Sequence, residues 1–311
     1  MNMPLKPVAG GKLYVRPPRR ARNLGRSFIA GLTALAVIAV GLFGYLSLID
    51  ARPAAGKLVS AAVAQGPALT AARPLKVMTF NIRHAEGLDG RVSTERIAEV
   101  IRSSGADVVG LQEVDRRMPR SGFQDEVRQI AARLGYDYAF GRNLGAGPVG
   151  YGNAVLSRYP IVGRQNQPLP GQLEPRGALF VTIDVAPNTP VTFIDTHLGL
   201  STADRQIQLE SIVGSLRQAK TPVILVGDFN ATPGAPEQAE LSALLKDSHD
   251  TSDKVTGYGT FGVGAGQAGE RIDFVWLSSG LKALSWTAVP GQASDHLPVV
   301  VEVAPEGAPS R

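Results

Sequence analysis

LVGDFNATP, Leu225–Pro233, ends an apolar run in Gly-Asp, then an aromatic residue, an Asn and a proline-bearing loop. The run itself, PVILVGDF, reads as a short buried strand. An Asp behind such a strand is ordinary turn chemistry. The same arrangement recurs, however, with a polar residue directly after an apolar run. It is seen at Asn81 in MTFNIRH, Glu113 in LQEVD, Asn153 in YGNAVLS, and Asp195 and His197 in FIDTHL. It is seen again at Asp228 and Asn230 in GDFN, Asp273 in RIDFVW, and Asp295 with His296 in ASDHLP. One case is a turn. A series of them places polar groups at the C-terminal ends of strands, where open α/β sheets build their sites.

From Leu75 onward strands alternate with helices. LKVMTFN, ADVVGLQEV, YDYAFG, NAVLSRYPI, LFVTIDV, VTFIDTHL, PVILVGDF, RIDFVWL, LKALSWTAV and PVVVEV read as strands. STERIAEVIRSSG reads as a helix, with Ser93 as N-cap, Ile97, Val100 and Ile101 on one face, and Gly105 past its end. FQDEVRQIAARLG is a second helix, stopped by Gly135. A third opens at Ser201 and runs to Gln218, with Ile207, Ile212, Val213 and Leu216 inward. Several strand pairs lack an intervening helix, which predicts mixed sheets packed together with helices outside. Trp276 and Trp286 alternate with apolar neighbours and read as core. GVGAGQAG has the spacing Gly-x-Gly-x-x-Gly but runs into a strand instead of opening a helix, so it reads as a loop beside the cleft. His84 and His249 read as polar loop residues.

The N-terminal quarter has a different character. Residues 1–27 hold seven Lys/Arg and no acid, whereas residues 75–311 hold 22 Lys/Arg against 26 Asp/Glu. The formal charge of +5 therefore reports a short basic arm and not a nucleic-acid-coating body. Phe28–Ile49 is 22 residues without a charge. As a helix it spans about 33 Å, the depth of a bilayer's hydrocarbon core. It is longer than the roughly 7–15 apolar residues of a cleavable signal peptide, which predicts an uncleaved anchor, and the basic flank predicts its N-terminus in the cytoplasm and the body outside. Residues 50–74, rich in Ala and Pro, read as a linker reaching about 25–30 Å. With no Cys in 311 residues, disulfides, thiolate nucleophiles and Cys-ligated metals are excluded.

The residue types suit one chemistry. Carboxylates with an Asn carbonyl are hard oxygen ligands for Mg²⁺ or Mn²⁺. His197 and His296 can hold or move protons near neutral pH. No Ser-His-Asp or Cys-His pair and no His-Glu-x-x-His helix is evident. FN, LQE, THL, GDFN, RIDFVW and SDH, in this order between Leu75 and Val303, resemble the motifs of the endonuclease/exonuclease/phosphatase superfamily, which includes DNase I-like nucleases.

The resemblance implies a four-layer α/β sandwich, two mixed sheets flanked by helices, that cleaves phosphoesters with a divalent metal. It implies Glu113 as main metal ligand with Asn81 and Asp295 nearby, and Asp228 aiming the attacking water. Asn230 would hold phosphate or position Asp228, His296 would face the phosphate, and Asp273 would orient His296. His197 resembles a second catalytic His and is expected to help protonate the leaving group. Asn153 and Arg176 resemble positions that touch phosphate. Two departures bear on substrate. Arg83 stands where AP endonucleases carry an acid, and Ala231-Thr232 stands where inositol phosphatases usually place an Arg.

The expected molecule is a membrane-anchored, externally facing Mg²⁺-dependent phosphodiesterase. Its parts are an arm at 1–27, an anchor at 28–49, a linker at 50–74 and a catalytic domain at 75–305. Its expected partners are a phosphoester, of lipid headgroup type or nucleic acid, and the lipid bilayer; no protein partner is expected. The alternatives are a DNase I-like endonuclease and a noncatalytic, membrane-tethered phosphoester-binding domain.

Overall fold

The computed structural model describes residues 74–187, 189–262 and 269–306. The expected arm and anchor, and the linker up to residue 73, lie outside the described residues, as does most of the Gly-rich loop. Among the described residues no helix is long and apolar enough to cross a membrane.

The strands, in chain order, are β1 (Leu75–Asn81), β2 (Val108–Arg116), β3 (Asp137–Leu144), β4 (Gly150–Ser157), β5 (Ile161–Leu169), β6 (Arg176–Asp184) and β7 (Pro190–His197). They continue with β8 (Val223–Asp228), β9 (Leu245–Asp247), β10 (Lys254–Thr256), β11 (Asp273–Ser278), β12 (Leu281–Ala288) and β13 (Val299–Pro305). The helices are α1 (Thr94–Ser104), α2 (Glu126–Leu134), α3 (Thr202–Leu216) and the one-turn α4 (Ala239–Ser242) and α5 (Ser248–Thr251). One sheet has the order β10-β12-β13-β1-β2-β4-β3 and the other β5-β6-β7-β8-β11-β9. Both are mixed: β1 with β2 and β7 with β8 run parallel, while β1 with β13 and β8 with β11 run antiparallel.

Side chains alternate across a strand with period two, so each strand feeds two different cores. Val77, Val108, Val155, Phe193, Ile224, Val226 and Val275 fill the space between the sheets. Met78, Phe80, Val109 and Leu111 face the other way and pack on Ile97 and Ile101 of α1 and Val127 and Ile130 of α2. Ile194 and Leu225 pack on Leu209, Ile212 and Val213 of α3. Each such fully buried apolar side chain contributes about 1.5–3 kcal/mol. The result is two mixed sheets flanked by helices. The helix ends match their sequence signals: the Ser93 hydroxyl accepts from the Arg96 amide, and α1 and α2 stop at left-handed Gly105 and Gly135.

Three local expectations change. NAVLSRYPI is not one strand. β4 ends at Ser157, and after Arg158–Pro160 the chain crosses to the other sheet as β5, an edge strand whose polar residues carry no hydrophobic alternation. Ile207 is 39% exposed. The buried face of α3 runs through Leu209, Ile212, Val213 and Leu216, and Ile207 lies about 200° around the helix from Leu209 at about 100° per residue. His84 and His249 are partly buried, His84 against Glu86 and His249 edge-on to Trp286.

Candidate active site

Alternation also explains why the polar residues converge. Asn81, His197, Asp228 and Asp273 share the parity of Val77, Phe193, Val226 and Val275, so they continue the inter-sheet faces to one open edge. Asn81, His197 and Asp228 sit at C-terminal strand ends. Asp273 instead opens β11, which reaches the same edge because it runs antiparallel to β8. In register, His197 pairs with Asp228 and Asp228 with Asp273. Glu113 has φ 58° where the β2–β4 register shifts, and this re-aims its side chain. Gly227 has φ 151°, and a Cβ there would lie 2.0 Å from the Thr196 carbonyl oxygen. Only glycine can precede Asp228 so close to β7.

Asp228 is the hub, and its two oxygens do different things. Oδ1 accepts the Asn230 backbone N–H at 2.9 Å, an Asx turn that holds Asn230 at φ 48°. Oδ2 accepts from Asn81 Nδ2 at 3.0 Å and lies 3.4 Å from His197 Nε2 and 3.6 Å from His296 Nε2. The GDFN segment is thus turn and site at once. Asn81 Nδ2 also reaches Glu113 Oε1 at 3.0 Å. His296 Nδ1 donates to Asp273 Oδ2 at 2.9 Å. Arg176 Nη1 lies 3.0 Å from His197 Nδ1; a guanidinium can only donate, so Nδ1 accepts and the His197 proton sits on Nε2, facing Asp228. Asn230 Nδ2 donates to the Leu198 carbonyl at 2.9 Å, next to His197.

The two histidines are electrostatically opposite. Burial pushes His197 down to about 3; Asp228 opposes this, and Arg176 and His296 add to it. For His296 burial also disfavours charge, but Asp273 by charge and hydrogen bond, with Asp228 and Asp295, outweighs it and raises the imidazole to about 10. At neutral pH His197 is therefore neutral and His296 is the imidazolium.

Glu113 and Asp228 are hard oxygen donors, and their two carboxylates converge on one Asn81 amide nitrogen, a position in which positive charge is favoured, while the Asn81 oxygen accepts from the Arg83 amide at 3.0 Å. Glu113 is half-buried and reaches the cleft. These residues fit a hard divalent cation. Asp295 Oδ2 lies 3.6 Å from Arg83 Nε, and Asp295 joins the cluster through Ser294, whose hydroxyl donates to the Asn81 carbonyl at 2.8 Å. Asp228, Asp273 and His296 also place one donor atom each within 4.8 Å of one another, but there the His296 proton already supplies the positive charge.

Asn153 is buried inside the sandwich, where Nδ2 donates to the carbonyls of Gly177 at 2.9 Å and Asp195 at 3.2 Å and ties β4 to the opposite sheet. Its amide hydrogens are thus spent on backbone, away from the cleft. Asp195 is fully buried as well, accepts from Gln112 Nε2 at 2.6 Å, and is held well above the usual carboxylate range by burial. Arg176 is brought into the cluster, contacting Glu174 at 3.1 Å as well as His197.

Three neighbours carry no pattern that sequence reasoning could have used. Thr260, fully buried, accepts through Oγ1 from the amides of Ile272 at 3.1 Å and Asp273 at 3.2 Å, while its carbonyl accepts from the Leu297 amide at 2.6 Å. It clamps the Asp273 strand to the His296 loop. Phe261 lies against the His296 ring at 4.7 Å. Tyr151 is buried at the Glu113 side under the Arg120 guanidinium, and burial with Glu113 and Glu174 pushes its hydroxyl pKa up.

Residues 78–296 match the Endonuclease/Exonuclease/phosphatase family. The chain is 29% identical over 250 residues to the uncharacterized protein YbhP of Escherichia coli K12, covering 73% of this chain and 95% of YbhP. An endonuclease/exonuclease/phosphatase structure from Beutenbergia cavernae superposes with a TM-score of 0.64 at 28% identity, over 77% of this chain and 73% of that one. A mannosyl-6-phosphatase from Bacteroides thetaiotaomicron has the same fold, with a TM-score of 0.64 at 22% identity over 74% of this chain and 99% of that one. The chain belongs to the endonuclease/exonuclease/phosphatase family and is a phosphoester hydrolase.

Proposed function

We propose that the protein is a Mg²⁺- or Mn²⁺-dependent phosphodiesterase, anchored in a membrane by Phe28–Ile49 with its catalytic body outside the cytoplasm. The observation that carries the chemistry is Asp228 Oδ2 held between Asn81, His197 and His296. Asp228 aims a water at phosphorus, with Asn230 fixed behind it by the Asx turn. His296, charged and held by Asp273, donates to a phosphate oxygen as negative charge develops. His197 donates through Nε2 as a neutral imidazole, and Arg176 fixes that tautomer. The proton expected on His197 for the leaving group is thus assigned to His296, which carries one at neutral pH. Glu113 and Asn81, with Asp295 at the rim, would hold the cation. When bound, the cation neutralises a non-bridging phosphate oxygen.

Turnover of bis-p-nitrophenyl phosphate should be abolished by EDTA and restored by Mg²⁺ or Mn²⁺. Glu113→Gln should remain folded yet need far more metal. Full activity in excess EDTA would sink the metal-dependent reading. A panel of plasmid DNA, phospholipids and phosphomonoesters separates this reading from the endonuclease alternative, and no turnover on any of them leaves the phosphoester-binding domain.

A further inference from the structure

A polar cleft of about 420 Å³ opens on the far side of Asn230, lined among others by Thr202, Arg205, Thr232, Glu237 and Glu270. Its hydrogen-bonding capacity can be read group by group. Arg205 is buried and committed: Nε donates to Glu237 Oε1 at 2.6 Å, Nη1 to the Leu200 carbonyl at 2.8 Å, and Nη2 to Thr202 Oγ1 at 3.0 Å. Its charge is cancelled by Glu237. Thr202, having accepted from Arg205, has its hydroxyl hydrogen to donate. Asn230 gives one amide hydrogen to the Leu198 carbonyl, which leaves its oxygen as an acceptor and one hydrogen to donate. Thr232 and Glu270 are exposed to the cleft.

Among the described residues the cleft is therefore rich in acceptors with a few hydroxyl and amide donors, and the one cation lining it, Arg205, is already paired. A second phosphate would meet Glu270 without a compensating positive group. A quaternary ammonium would find no aromatic wall among the described lining residues, the usual means of holding one. Hydroxyl groups, which donate and accept, match both kinds of partner. We infer that this cleft is a subsite for an uncharged, hydroxyl-bearing group, a polyol or sugar esterified to the scissile phosphate, and that it disfavours a second phosphate. This deepens the phosphodiesterase reading and rests on it.

The test uses the full chain in detergent with three p-nitrophenyl phosphodiesters differing only in the second alcohol: myo-inositol, choline and thymidine 3′-phosphate. Bis-p-nitrophenyl phosphate reports the basal reaction. The inositol ester should be preferred in kcat/KM over both others, by roughly tenfold or more over the phosphate-bearing one. Each lost hydrogen bond should raise KM roughly 2–12-fold. Glu270→Ala and Thr232→Val should do this for the inositol ester while leaving bis-p-nitrophenyl phosphate within about twofold, because neither residue touches the reacting atoms. Glu270→Lys should narrow the gap to the phosphate-bearing ester. Preference for the choline or phosphate-bearing ester overturns the subsite, as do variants with unchanged KM or with equal losses on bis-p-nitrophenyl phosphate. No hydrolysis of bis-p-nitrophenyl phosphate by the unaltered chain overturns the phosphodiesterase reading and the subsite with it.

Discussion

His197 and His296 face the same Asp228 oxygen, yet one is neutral and the other charged, because burial, with Arg176 adding to it, lowers His197 while Asp273 outweighs burial at His296. This difference has kinetic consequences. An activated leaving group such as p-nitrophenolate needs little protonation. A neutral His197 that only donates a hydrogen bond should therefore give equal losses in His197→Ala on p-nitrophenyl and alkyl diesters. A leaving-group acid would instead be forgiven on the activated ester, by up to the roughly 10²–10⁴ that general acid catalysis contributes. His296→Ala should be the more damaged variant on the alkyl diester. The pH profile should follow His296. Its raised value keeps the charged form through neutral pH, so kcat/KM should hold across pH 7–9 and fall as pH rises through about 10. Asp273 raises that value, so Asp273→Asn should move the basic limb to lower pH. A basic limb unmoved in that variant would mean that His296 is not the titrating group.

At the level of elements, α2 carries an acid in an apolar place. Glu126 opens the helix fully buried, accepts the Asp115 amide at 2.7 Å and leaves Oε1 without a partner. Burial pushes its carboxyl up to about 8. The folded state thus holds a proton that the unfolded chain releases near 4.5. This stabilisation is fully present below that value and is lost as pH rises to about 8, at up to about 1.4 kcal/mol per pH unit. Glu126→Gln keeps the acceptor for Asp115 and removes the titration, so its melting temperature should exceed the unaltered chain's at pH 8–9 and differ least at pH 4–5. Thr260→Val is a second test, because it strips the acceptor from two buried amides. It should cost about 1–3 kcal/mol and shift the His296 limb through Asp273. These two residues also mark where sequence reading ends. β7, β8 and β11 are legible because an apolar stretch adjoins the polar residue in each, and the same parity that fills the core delivers His197, Asp228 and Asp273 to the edge. β5 and three-residue β9 and β10 have no such pattern. Asn153 follows the parity rule but lies within β4 and not at its end, so its face was legible and its depth was not. Thr260 acts through backbone partners, and a lone Thr in GYGTFG carries no period.

For the whole molecule, the proposed placement rests on a different part of the chain from the chemistry. The catalytic body is acidic, so its substrate is not gathered by a basic surface, and the basic residues concentrate before the apolar stretch. Seven Lys/Arg in residues 1–27 precede 22 uncharged residues, whereas the 25 residues after them hold only three Lys/Arg. Positive charge is retained on the cytoplasmic side during insertion, which orients such a segment with its C-terminal end outside. A linker reaching about 25–30 Å would then keep the cleft near the headgroup layer, where polyol-bearing phosphodiesters are found. In intact cells, once any outer barrier is opened, added protease should degrade the body while a cytoplasmic marker survives. Removal of residues 1–49 should release an active soluble enzyme, because the described sandwich supplies its own cores. Its kcat/KM on water-soluble diesters should be unchanged, and its rate on diesters embedded in vesicles should fall. Protection of the body equal to the cytoplasmic marker's would reverse the orientation. A natural soluble fragment beginning near Gln65 would replace the anchor with a cleaved signal. Equal rates of the anchored and released forms on vesicle-embedded diesters would separate the anchor from substrate choice, leaving the polar cleft beside Asn230 as the feature that selects it.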